Sequence, residues 1–214
     1  MNQMKAVGLA MLAVLITLSS AGSAHATELY NNGSTTMGAG TTLDFSLKAF
    51  SSSVIVNTEG GELDKCSEST IRGKITNAGS STSTTTVEIE EIIDVPSLTP
   101  TYPGLTWQKC TFPTVTELGG RLEIHHIAGT STGTVTADAD IRVRINTVFF
   151  GECTYIATSG TDLGTISAGE PATFTANAVL ERWIGSAFAC PTTAKWTASF
   201  RSTTPSGVID IRSS

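Results

Sequence analysis

Clustered positive charge is missing from this chain. Its 13 Lys and Arg face 19 Asp and Glu, giving a formal net charge of −6, and no three basic residues lie side by side. Proteins that bind nucleic acid or anionic membrane surfaces neutralise phosphate groups with grouped Lys and Arg. The composition therefore argues against nucleic acid and anionic membrane surfaces as partners. No membrane insertion is expected either, because no apolar run is long enough to span a bilayer.

Signatures of catalytic and cofactor sites are also scarce. We expect no nucleophile elbow of the G-x-S-x-G type, and S-x-x-K, H-E-x-x-H and C-x-x-C motifs do not occur. The glycines fall at turn sequences and form no phosphate-binding loop ahead of a helix. The sequence thus predicts a protein that is not an enzyme and has no cofactor and no metal.

The chain opens with a pattern typical of a signal peptide. Lys5 supplies the positive start, residues 6–18 are an apolar run, and residues 19–26 end in the small-x-small sequence AHA. The run is shorter than the roughly 20 residues that span a bilayer. We expect cleavage after Ala26, one mature domain over residues 27–214 with net charge −7 once Lys5 is lost, and a secreted protein (extracellular, periplasmic or at the cell surface).

Four cysteines remain in the mature chain: Cys66, Cys110, Cys153 and Cys190. An even number in an exported chain predicts two disulfides, for which three pairings exist. We favour Cys66–Cys110 with Cys153–Cys190, because each bond then clamps one half of the chain.

Alternation of apolar and polar residues is the clearest pattern present. In residues 135–150 every second residue from Val135 to Phe149 is apolar or small, and the positions between them from 136 to 146 are polar: Thr136, Asp138, Asp140, Arg142, Arg144 and Asn146. A period of two is that of a β-strand with one buried face. Similar runs predict strands over 43–49, 53–57, 70–76, 86–93, 121–128, 172–180, 195–201 and 208–212.

No amphipathic helix is predicted. The best candidate, AVLERWIGSAF, is short and has Gly185 in its interior. We therefore expect an all-β fold, a single antiparallel two-sheet sandwich with two disulfides, and keep a closed β-barrel as the alternative.

Adjacent histidines and paired carboxylates are the polar candidates for a site. His125 and His126 lie on a predicted strand, so they leave from opposite faces and do not suit one metal ion. Glu123 shares a face with His125 and could form an acid–base pair. The pairs Glu88 with Glu90 and Asp138 with Asp140 each point to one side of a strand, and Arg142 and Arg144 follow the second pair, which favours a solvated row of charges.

Tryptophans are the remaining candidates for binding. Trp196 alternates with Ala198 and Phe200 and is expected in the core, and Trp107 lies close to Cys110. Trp183 follows Arg182 near a predicted turn, and we single it out as the exposed binding residue. The sequence NGS at Asn32 matches a glycosylation sequon and is interpreted as a turn.

Segments around the cysteines resemble a loose group of small exported bacterial proteins. The segments are KCSESTIRGKITNAG, WQKC, ECTYIATSGTDLG and AVLERWIGSAFACPTTAKWTASF, within residues 53–200. The resemblance implies a disulfide-clamped β-sandwich without a settled activity, and no site residues come with it.

Three functions are compatible with these patterns. The first is a non-catalytic exported protein that binds or assembles, with an unknown protein or glycan as its partner. The second is an adhesin or pilus-type subunit, in which SGVIDIRSS would be the donated strand. The third is an extracellular hydrolase that uses carboxylates, for which Glu88 or Glu90 would face Glu123 across a pocket.

Overall fold

A computed structural model describes residues 27–80, 84–89, 105–111, 115–117, 120–147 and 149–213. These residues form strands and turns, with no helix among them. The strands are β1 Thr27–Asn31, β2 Thr35–Thr36, β3 Thr42–Leu47, β4 Ser53–Asn57, β5 Glu62–Asn77, β6 Thr85–Ile89, β7 Leu105–Cys110, β8 Val115–Glu117, β9 Gly120–His126, β10 Thr132–Ala139, β11 Ile141–Thr147, β12 Gly151–Ala157, β13 Asp162–Ser167, β14 Thr173–Arg182, β15 Thr193–Thr204 and β16 Ile209–Ser213.

Eight strand positions close into a barrel. The antiparallel order β15-β4-β5-β6-β9-β10-β13-β14 returns to β15, because β14 pairs with β15 along most of its length. The position between β15 and β5 is shared by two strands that follow each other in the chain, β3 and β4. β3 pairs with one end of both neighbours and β4 with the other.

The sequence favoured a two-sheet sandwich and kept a closed barrel as the alternative, and the structure shows the barrel. The all-β class and the two disulfides are confirmed. Alternation predicts that one face of each strand is buried, and this holds equally for a sandwich and for a barrel wall. The ring closes because β15 pairs on one side with β14, its neighbour in the chain, and on the other side with β3 and β4 near the start of the chain.

The barrel interior is built from the alternating side chains. Phe174 and Phe200 stack with ring centroids 5.9 Å apart, and the Trp196 ring meets each of them edge-on. The Trp196 indole N–H donates to Ser53 Oγ at 2.9 Å, which satisfies its polar group inside the core. The prediction that Trp196 belongs to the core is confirmed.

Two smaller parts flank the barrel. β16, β1 and β2 form a separate sheet that lies against β6 and β9 and buries Leu29, Ile209 and Ile211. The second part extends from β14, which continues past β13 to pair with β12; β12 pairs in turn with β11, and β11 with β8. The predicted strand over residues 135–150 is therefore two strands, β10 and β11, which separate at Asp140 and pair with different neighbours.

The end of that predicted strand was wrong. Phe149 lies on the parity expected to face the core, yet 88% of its surface is exposed. The reason is that β11 ends at Thr147 and the chain turns back into β12. Beyond the last paired residue of a strand, the alternating pattern no longer predicts whether a side chain is buried.

Candidate functional site

The two adjacent histidines lie on opposite faces of β9, as predicted. His125 is half-buried on the outer face, whereas His126 is buried. His126 Nε2 lies 2.8 Å from the carbonyl oxygen of Thr130. The two imidazoles therefore share no ligand position.

Glu123 and His125 do meet on the outer face, but not in the arrangement of a catalytic relay. Glu123 Oε2 lies 3.3 Å from His125 Nε2, and Thr136 Oγ1 lies 3.0 Å from the same nitrogen. In a nucleophile–base–acid relay the hydroxyl and the carboxylate bind different ring nitrogens. Because both partners compete for Nε2, the geometry describes a surface hydrogen-bond cluster.

The paired aspartates lie in a row of ion pairs. Asp138 accepts from Arg121 Nε at 2.9 Å, and Asp140 lies 3.8 Å from Arg142 Nη2. Glu152 on β12 is 3.5 Å from Arg144 Nε. These contacts match the solvated charge row that the sequence suggested.

The opposing carboxylates required for a hydrolase fall partly outside the described residues. Glu123 is opposite Thr86 and Thr136 in the sheet, and Glu88 is opposite Arg121. The Glu88 side chain and Glu90 lie outside the described part of the structure, as does the Trp107 side chain.

A match to the spacing of a nucleophile elbow lies between β9 and β10, although none was expected from the sequence. Residues 129–133, GTSTG, have the G-x-S-x-G spacing around Ser131. A nucleophile elbow is a tight turn from a strand into a helix. Here the turn joins β9 to β10, which begins at Thr132, and the Ser131 carbonyl accepts from the Ala168 N–H. The spacing is present, but the serine lies in a turn between two strands and not in a turn from a strand into a helix.

Asp64 is a fully buried carboxylate beside the Cys66–Cys110 bond. Its oxygen accepts from the Lys65 N–H at 2.7 Å. Both neighbouring sulfurs are committed to a disulfide and are not thiolate ligands. The three residues that stand close enough to hold an ion therefore offer one carboxylate only.

The barrel interior contains two adjoining voids. The larger is about 30 Å³ and the smaller about 20 Å³, and both are lined by apolar side chains that include Ile71, Leu122 and Phe174. A pocket for an organic ligand has roughly 300–1,000 Å³. These voids are an order of magnitude too small and are gaps in core packing.

The 183–190 loop, which links β14 to β15, is the most unusual surface feature. The Cys153–Cys190 bond fastens one end of it to β12. Arg182 Nη1 donates to the carbonyl oxygens of Phe188 and Cys190 at 2.7 and 2.8 Å, so that one guanidinium spans the last turn of the loop. The loop thus has a defined shape without regular secondary structure.

Backbone hydrogen bonds fix the other end of this loop along the edge of β12. The Trp183 N–H donates to the Thr154 carbonyl at 2.9 Å, and the Thr154 N–H donates to Ser186 Oγ at 2.9 Å. An exposed strand edge is a template for unwanted pairing. The loop therefore covers the first half of β12, where β14 does not reach.

Trp183, which the sequence singles out as the exposed tryptophan, is the first residue of the loop. It is half-buried, and the Arg142 guanidinium lies 5.3 Å from its ring centroid. Gly185 lies against the ring so closely that a Cβ there would be 1.9 Å from a ring carbon. Trp183 is therefore packed between its neighbours and supports the loop.

The loop instead presents two other apolar side chains. Ile184 is 97% exposed and Phe188 is 92% exposed, and the Arg182 guanidinium lies 5.4 Å from the Phe188 ring centroid. Phe149, another exposed side chain, lies in the turn before β12. In that strand the carbonyl oxygen of Glu152 lies 3.5 Å from Cys190 Sγ of the loop. Sequence reasoning missed Ile184 and Phe188 because nothing in the sequence shows that the residues after the predicted strand 172–180 form a fixed loop with these two side chains outside.

No family model, curated protein or solved structure matches this chain. The resemblance of its cysteine segments to small exported proteins thus stays a prediction. The two disulfides, each formed in the favoured pairing, indicate a compartment other than the cytoplasm. Among the residues that the structure describes, no helix is long and apolar enough to cross a membrane.

Proposed function

We propose that this is an exported, non-catalytic binding protein that contacts a protein partner through the 183–190 loop. The supporting observation is that Ile184 and Phe188 are almost fully exposed on a segment held by a disulfide and several hydrogen bonds. Single exposed apolar residues are common, but two on one fixed loop form a contact surface. Because the loop is ordered before binding, association loses little conformational entropy.

A protein partner suits these side chains better than a glycan. Sugar rings stack on flat aromatic faces beside hydrogen-bonding groups, and the Trp183 ring is flanked by Arg142 and Gly185. Ile184 is aliphatic and Phe188 lies beside a cation. Aromatic anchors next to arginine are typical of the centre of a protein interface.

Photo-crosslinking in the exported setting tests this proposal. A photoreactive benzoylphenylalanine replaces Phe188 in one variant and Phe50 in the other. Phe50 is the matched control because it is also fully exposed, at 109%, but lies in the turn between β3 and β4.

We expect a discrete crosslinked species from position 188, lost when Ile184→Ser is added, and none from position 50. Equal crosslinking at both positions, or none at 188, would overturn the proposal.

Assembly by strand donation is the alternative. The segment that would be donated forms β16, which pairs with β1 of the same chain over the whole of both strands. A protein that uses this pairing internally is expected to stay monomeric, so a monomer mass at high concentration by light scattering supports binding. Concentration-dependent polymers that disappear when residues 208–214 are removed would support assembly.

A further inference from the structure

Thr27, the first residue after the predicted cleavage site, is fully buried. Its Oγ1 accepts from the backbone N–H of His126 at 2.6 Å, and its carbonyl oxygen accepts from Thr85 Oγ1 at 2.9 Å. β9 and β6 therefore each supply a donor to one residue at the start of β1. These two contacts hold Thr27 in a seat formed by His126 and Thr85.

Gly79 completes this seat. A Cβ at Gly79 would lie 1.7 Å from the Thr27 carbonyl oxygen, and the glycine has a φ of +80°. Only a residue without a side chain allows the turn after β5 to approach Thr27 this closely. Three segments distant in sequence thus converge on Thr27.

His126 adds an acceptor without a partner. Because Nε2 faces the Thr130 carbonyl oxygen, Nε2 carries the proton in the neutral ring and Nδ1 is an acceptor. Nδ1 is buried and has no hydrogen-bond partner among the described residues. A buried acceptor that lacks a donor is costly, and this one belongs to the residue whose N–H binds the Thr27 side chain.

We propose that this seat binds the N-terminal residue that cleavage after Ala26 creates, with the new α-amino group donating to Nδ1 of His126. Hydrolysis of the Ala26–Thr27 peptide bond adds the hydroxyl of water to the Ala26 carbonyl carbon and a proton to the Thr27 nitrogen. The nitrogen then has at least two N–H donors in place of one. Removal of the signal peptide thereby completes the hydrogen bonding of the barrel's flanking sheet.

The experiment compares the chain that begins at Thr27 with the same chain preceded by residues 19–26. Two substitutions are made in the processed chain. His126→Gln keeps a donor near the Nε2 position and removes the acceptor near Nδ1, whereas His126→Asn keeps an acceptor near Nδ1. Thr36→Ala, at an exposed position of β2, is the control.

The N-terminal amine is acetylated under native conditions and its rate is followed by mass spectrometry, and each thermal midpoint is measured. We expect the processed amine to react about tenfold more slowly than in His126→Gln, with His126→Asn and Thr36→Ala close to the parent protein. The chain with residues 19–26 should unfold at a midpoint about 2–4 °C lower.

Equal acetylation rates in the parent and His126→Gln, or equal midpoints with and without residues 19–26, would overturn the proposal. So would an exported protein whose first residue is not Thr27. If His126→Gln does not fold, the comparison between the processed and extended chains still decides.

Discussion

Phenylalanine is buried in the barrel and exposed on the 183–190 loop. Phe200 in β15 is completely buried, whereas Phe188, in the loop that leads into that strand, is 92% exposed. Each region is also joined to the sheet by one disulfide, Cys66–Cys110 between β5 and β7 and Cys153–Cys190 between β12 and the loop. Burial of Phe200 is explained by folding, and the exposure of Phe188 on a fixed loop is not, which is why we propose that the loop binds a partner.

The largest contrast is expected from removing the two rings. Phe200→Ala should lower the free energy of unfolding by about 3–5 kcal/mol, because it leaves a cavity in a packed interior. Phe188→Ala should change it by less than about 1 kcal/mol, since only the contact with Arg182 is lost. Urea unfolding measures both, and a loss of several kcal/mol in Phe188→Ala would show that the loop is a structural element.

Removing each disulfide in turn distinguishes its effect on the free energy of unfolding from its effect on the shape of the 183–190 loop. The bonds span 44 and 37 residues, so loop entropy predicts a nearly equal loss of about 4 kcal/mol for Cys66→Ala/Cys110→Ala and for Cys153→Ala/Cys190→Ala. In the first variant the β5–β7 ladder remains to hold the strands together. In the second the loop loses its anchor.

Crosslinking from position 188 should therefore survive in the first double variant and fail in the second, measured where both are folded. If both variants keep the crosslink, the disulfide is not what shapes the loop.

Unfolding at alkaline pH tests the burial of Tyr155, which lies opposite Arg182 at the base of the 183–190 loop. Burial raises the pKa of Tyr155 to about 12, and Arg182, opposite it in the sheet, lowers it by less. The unfolded tyrosine ionises near 10. Stability from this residue is therefore complete below pH 10 and falls as pH rises towards 12, by about 1.4 kcal/mol per pH unit.

The parent protein and Tyr155→Phe are unfolded in urea at pH 8, 10 and 11.5. The substitution should remove that part of the alkaline loss, and an identical slope in the two proteins would contradict the burial of this hydroxyl.

A smaller loss of stability than for Phe200→Ala or the disulfide variants is expected at Gly185. In Gly185→Ala the new methyl group overlaps the Trp183 ring, and displacement of the ring should cost about 1–3 kcal/mol. Gly38→Ala is the control, because nothing lies within 4 Å of a Cβ there. Thermal unfolding of the two variants compares them directly, and equal midpoints would mean that the loop moves aside freely.

The local sequence predicted which side chains face inwards in many of the strands. Phe45, Val143, Phe174 and Phe200 are buried on the parity that alternation assigned, and His125 and His126 divide between the two faces. Strands that lack clean alternation were missed, among them β12, in which Cys153, Thr154 and Tyr155 are buried in succession. Burial on both faces there comes from the covering loop, which no local pattern shows.

The amino-acid sequence by itself determined which side chains face inwards and which cysteines exist to be paired, because both follow from the two-residue repeat of a strand and from composition. Only the tertiary structure decided that the sheet closes into a barrel, that Phe188 remains outside and that Thr27 is enclosed. Closure and enclosure are contacts between segments far apart in the chain, and a two-residue repeat contains no information about which strand lies next to which.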